Sequence, residues 1–88
     1  MARFIIERNV GSLTDEELQA AGRRSNKVLA EMEGVVWIRS YVSHAEGKIY
    51  CEYEAPSAEL VAEHARLAGL PADKISEIAL EISPSMFL

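Results

Sequence analysis

The chain has 88 residues, 49% of them hydrophobic, and a formal charge of −5. That length holds one domain over residues 1–88, the apolar content excludes a disordered chain, and the acidic balance excludes general nucleic-acid binding, which needs clustered Lys and Arg. A lone cysteine, Cys51, allows no internal disulfide, and no stretch approaches the ~20 apolar residues of a membrane span.

Phe4-Ile5-Ile6-Glu7-Arg8 is a short strand-like run. The chain enters it directly from Met1-Ala2-Arg3, with no charged and apolar leader pattern, so a cytoplasmic location is expected. Asn9 to Leu13 reads as a loop. Thr14-Asp15-Glu16-Glu17 has the spacing of a capping box, in which the threonine hydroxyl and the glutamate three residues on satisfy each other's backbone N–H groups. Leu18, Ala21, Ser25, Val28, Leu29 and Met32 follow at helical spacing, and Gly34 is the expected stop. Arg23, Arg24 and Lys27 are the nearest approach to a basic cluster, but they lie on this helix among acids and read as a solvated face. Val35–His44 and Lys48–Glu54 are rich in β-branched and aromatic residues, and the turn Ala45-Glu46-Gly47 between them makes a hairpin. Ser57 caps a second helix whose inner face carries Leu60, Val61, His64, Ala65 and Ala68, ended by Gly69 and Pro71. Lys74 to Ile82 is a final strand, closed by Pro84.

The order strand, helix, strand, strand, helix, strand predicts an α+β domain of the ferredoxin-like β-α-β-β-α-β type, with two helices on one face of a four-stranded antiparallel sheet. Strand alternation then sorts the two faces. Val36, Ile38, Ser40, Val42, Ile49, Cys51, Tyr53, Ile78, Leu80 and Ile82 are expected under the helices. The open face is expected to carry Trp37, Arg39, Tyr41, Tyr50, Glu52 and Glu54, with Ile5 and Glu7 and with Glu77, Ala79 and Glu81. Aromatic bodies with charged tips suit an interface with a second copy, alone or with a ligand pocket lined by Trp37, Tyr41, Tyr50 and Glu52. The pocket reading would make the protein a small-molecule binder or a cofactor-free enzyme of the dimeric α/β-barrel type.

Cys51 and His64 both point inward and are the leading pair for chemistry. A thiolate and an imidazole suit nickel, copper or zinc, or an activated nucleophile. The competing reading is a packed cysteine beside a hydrogen-bonded core histidine. His44, at the hairpin turn, reads as an exposed turn residue that with Glu46 nearby could supply a surface metal ligand. Glu7, Glu52 and Glu54 form a possible acidic group that Arg39 would neutralise. No CxxC or HExxH spacing, phosphate-cradling glycine loop, nucleophile elbow or nucleotide fingerprint is present, and no residue is assigned a catalytic role.

Trp37-Ile38-Arg39-Ser40-Tyr41-Val42, Lys48-Ile49-Tyr50-Cys51-Glu52-Tyr53, Glu63-His64-Ala65 and Gly69-Leu70-Pro71-Ala72, with the opening Phe4-Ile5-Ile6-Glu7-Arg8 and Leu13-Thr14-x-x-Glu17-Leu18, resemble a small bacterial family of unknown function. Its streptomycete member is described as a nickel-binding protein. The resemblance covers nearly the whole chain and implies a ferredoxin-like homodimer, with nickel the leading metal. It makes Cys51 and His64, with His44 behind them, the natural ligands.

Overall fold

The computed structural model describes residues 1–88. Its strands are β1 (Ala2–Asn9), β2 (Val36–Ser43), β3 (Lys48–Ala55) and β4 (Lys74–Glu77), and its helices are α1 (Asp15–Leu29) and α2 (Ala58–Ala68). A closing 3-10 turn covers Pro84–Phe87. The sheet runs β2-β3-β1-β4, with the three neighbouring pairs antiparallel, so the expected ferredoxin-like α+β fold is present. No helix is long and apolar enough to cross a membrane.

The local signals act as their chemistry dictates. Glu17 N–H donates to the Thr14 hydroxyl at 3.1 Å, and Thr14 N–H donates to Glu17 Oε1 at 2.9 Å, which completes the capping box. Ser57 caps α2 through Leu60 N–H, and Gly69 ends it at φ 67°, a left-handed geometry that an L side chain resists. Gly47 turns the β2–β3 hairpin at φ 64°, and a Cβ there would meet the Gly11 backbone at 3.1 Å. Helix α1 ends at Leu29, before the expected Gly34, because i→i+3 bonds from Glu31 to Val28 and from Met32 to Leu29 tighten its last turn.

The core is one cluster built on Phe4, Ile6, Val35, Ile49, Cys51, Tyr53, Ala55 and Val61. Full burial of a side chain such as Phe4 or Ile6 stabilises by about 1.5–3 kcal/mol. Ile49, Cys51 and Tyr53 lie under the helices as expected. Strand β2 does not follow simple alternation. A bulge between Trp37 and Arg39 places Trp37 opposite Tyr53 and Arg39 opposite Glu52, with Ile38 as the extra residue. One inserted residue reverses the facing of everything before it. Trp37 therefore packs against the core instead of lying on the open face, and Val36, opposite Glu54, is 48% exposed instead of buried. Arg39, Ser40, Tyr41 and Val42 keep their expected sides.

The last strand is also shorter than the sequence pattern implies. β4 pairs with β1 only from Glu7↔Lys74 to Phe4↔Glu77, followed by one bond from Ile78 N–H to Arg3 O. Its register puts Ile75 and Glu77 on the side of Phe4 and Ile6, so Ile78, next to Arg3, faces the open side instead of the helices, and Glu77 the reverse. Leu80 and Ile82 accordingly stand 74% and 60% exposed and do not enter the core, where Ile75 is β4's contribution.

Replacing the cap with Thr14→Ala is expected to lower the unfolding free energy by about 1 kcal/mol, read from urea denaturation.

Candidate functional site

Two places collect the chemistry-bearing side chains, one on each face of the sheet. On the helix side the organising residue is Arg8. Phe4, Ile6 and Arg8 alternate along β1, so Arg8 must point the same way as the two core residues, and it is 1% exposed. Its Nη1 donates to Pro71 O at 2.7 Å, its Nε to Cys51 Sγ at 3.4 Å and its Nη2 to Tyr53 OH at 3.4 Å. The guanidinium carbon also lies 5.9 Å from the centre of the Tyr53 ring. Burial raises the Tyr53 phenol above its ordinary value, against a smaller opposing effect of the Arg8 charge.

His64 is fully buried on α2, with its ring centre 5.3 Å from that of Tyr53. Its Nε2 lies 3.2 Å from the Ser25 hydroxyl and 3.4 Å from the Ser25 carbonyl, while Nδ1 has no partner. Burial holds the imidazole below its ordinary value. The Ser25 carbonyl pulls the other way, and the positive charge of Arg8 adds to the depression. Cys51 and His64 thus share the interior but not a bond: the thiol is bonded to Arg8 and the imidazole to Ser25.

The open face carries Tyr41, Tyr50 and Glu52, while the fourth residue expected there, Trp37, lies behind the sheet. The Trp37 indole N–H donates to the Ser40 hydroxyl at 2.8 Å, and the ring forms part of the wall of an apolar cavity on the helix side. Glu52 is only 6% exposed although no helix covers it. Arg3 ion-pairs with one carboxylate oxygen, and Arg39 Nη1 lies 3.5 Å from the other. Glu7 lies 3.7 Å from Lys48 Nζ, and Tyr50 O–H donates to Glu46 at 2.8 Å. Glu7 and Glu52 each have a cation, so they do not form a free carboxylate group. His44 is exposed at the hairpin, away from the interior pair.

A metal cage is not assembled within one chain. No group of three His, Cys, Asp or Glu side chains is placed to hold an ion. At Cys51 the neighbouring Arg8 charge would repel a cation, so the Cys51–His64 pair does not fit a metal as it stands. Arg8 was not among the residues singled out from sequence. The signal was present in the Phe4–Ile6–Arg8 alternation, which aims a guanidinium at the core.

The model of the nickel responsive protein SCO4226-like family matches residues 4–78. The chain belongs to this family. It also matches the crystal structure of SCO4226 from Streptomyces coelicolor A3(2), at 33% identity and a TM-score of 0.82 over 92% of this chain and 100% of that one. No curated protein matches the chain. The resemblance read from the residues is therefore borne out, and it makes this a small metal-responsive protein by family.

The buried imidazole has a pH consequence. Because folding lowers its affinity for a proton, the unfolded chain takes up the proton first as pH falls. The associated stability is full above the unfolded value of about 6.5 and is lost as pH falls through it toward the folded value. Urea unfolding is expected to give a lower free energy at pH 5.5 than at pH 7.5, with a smaller difference in His64→Gln. An equal difference in the two proteins would show that His64 is not the group responsible.

Proposed function

We propose that the protein is a cytoplasmic, nickel-responsive homodimer whose two copies meet through the open face of the sheet. The family match over residues 4–78 is the observation that carries the metal reading. Two features of the surface favour a second copy. The open face exposes Tyr41 and Val36 around the Arg3–Glu52–Arg39 network, the mixture of aromatic, arginine and apolar surface that interfaces use. The segment after β4 leaves Leu80, Ile82, Met86 and Phe87 in water, and Arg3 ties that segment to the open face through Glu81 at 2.7 Å.

Of the three sequence-derived ligands, His44 is the one free to meet a metal from solvent. Cys51 and His64 are buried and already bonded. Imidazole suits nickel, and one imidazole is too few ligands, so in this reading the partner copy completes the site.

Native mass spectrometry of untagged protein, followed by calorimetric titration with nickel, tests both halves. The expected species is a dimer carrying nickel. His44→Ala should weaken nickel binding by about tenfold or more, and Cys51→Ala should leave it nearly unchanged. A monomer with and without nickel would overturn the pairing, and full affinity in His44→Ala would overturn the ligand assignment.

A further inference from the structure

A cavity of about 260 Å³ lies between α1 and the β2–β3 half of the sheet. Its walls are mostly apolar, with Leu18 and Ala21 on the helix side and Trp37, Val42 and Ile49 on the sheet side. Val42 is 41% exposed, so the cavity edge reaches solvent. A dry cavity of about 150 Å³ accepts benzene, which by proportion makes this one suitable for roughly ten non-hydrogen atoms.

What distinguishes the cavity from a packing gap is Arg8, which also lines it. A guanidinium is permanently charged and carries five N–H donors. Arg8 makes three hydrogen bonds, to a backbone carbonyl, a cysteine sulfur and a tyrosine hydroxyl, and takes part in none of the chain's five ion pairs. A charge removed from water without a counter-charge is strongly disfavoured, and a carboxylate reaching it in a low-dielectric site makes a charge-assisted hydrogen bond. The apolar walls add burial for a hydrocarbon body. Its bonds to Cys51 and Tyr53, which line the same cavity, hold the guanidinium in place before any anion arrives.

We propose that this cavity is a binding site for a small aryl or alkyl carboxylate of roughly ten non-hydrogen atoms, its carboxylate paired with Arg8 and its body lying between Trp37 and α1. The site is separate from the nickel reading and from the open face. Cationic ligands are excluded from it by Arg8, and strongly polar ones by the walls.

Trp37 is the chain's only tryptophan, so its emission reports directly on the cavity. The probes are phenylacetate and octanoate, with 2-phenylethanol as a neutral counterpart, titrated by fluorescence and by calorimetry. Wild-type protein is expected to bind a carboxylate at 1:1 stoichiometry about tenfold or more tighter than the alcohol. Ala21→Phe fills the cavity and leaves Arg8 in place, and it should weaken both kinds of probe by a similar factor. Arg8→Met should abolish the preference for the carboxylate. Should Arg8→Met fail to fold, the wild-type carboxylate-to-alcohol ratio and the Ala21→Phe variant decide the matter. Equal affinity for acid and alcohol, unchanged binding in Ala21→Phe, or no saturable response to either carboxylate up to about 10 mM would overturn the proposal.

Discussion

Arg8 occupies the last inward position of a central strand, after Ala2, Phe4 and Ile6, where the alternation of β1 would ordinarily place another apolar side chain. A permanent charge at that position must be accommodated by whatever surrounds it. Pro71 O, Cys51 Sγ and Tyr53 OH come to it from the segment after α2 and from β3, so two other parts of the chain are tied to one guanidinium of β1. The same charge lies close enough to His64 to help keep that imidazole neutral. The interior is therefore a polar network around Arg8, set within a small hydrophobic core and bordered by the cavity beneath α1. Buried networks of this kind hold a geometry firmly when each member is satisfied, and they leave a specific vacancy when one is not.

The other face of the sheet solves an opposite problem. There Glu52 is shielded without any covering layer, because Arg3 and Arg39 close over it from neighbouring strands. The result is a surface with little free charge at its middle and aromatic groups beside it, continuous with the apolar segment after β4. In a chain of 88 residues the core alone supplies limited stability, so a face of this composition is a natural place for a second copy to add burial.

Membership of the nickel responsive family and the absence of a three-donor group within one chain are compatible if metal and core are kept apart. The thiol and imidazole that look most metal-ready in the sequence serve the interior network, whereas the accessible histidine stands at the hairpin. The division has a simple electrostatic logic. A cation next to Arg8 is opposed, and an anion there is favoured.

The order of elements, both helix caps, the hairpin and the inward facing of Ile49, Cys51 and Tyr53 were determined by the sequence itself, because they depend on side chains within a few positions of one another or on unbroken alternation. The facing of Val36 and Trp37 was decided by a bulge, which inserts one residue against β3 and leaves no mark in the hydrophobic pattern of β2. The facing of β4 was decided by its register with β1, which sets Ile75 opposite Ile6 and turns Ile78 to the open side, a property of the pairing and not of residues 78–82. Cys51 and His64 were rightly read as inward, but only the packed structure shows Arg8 bonded to one and Ser25 to the other. Alternation says that a side chain is buried. What it touches depends on residues far away in the chain, and that is where the cavity and its unpaired charge arise.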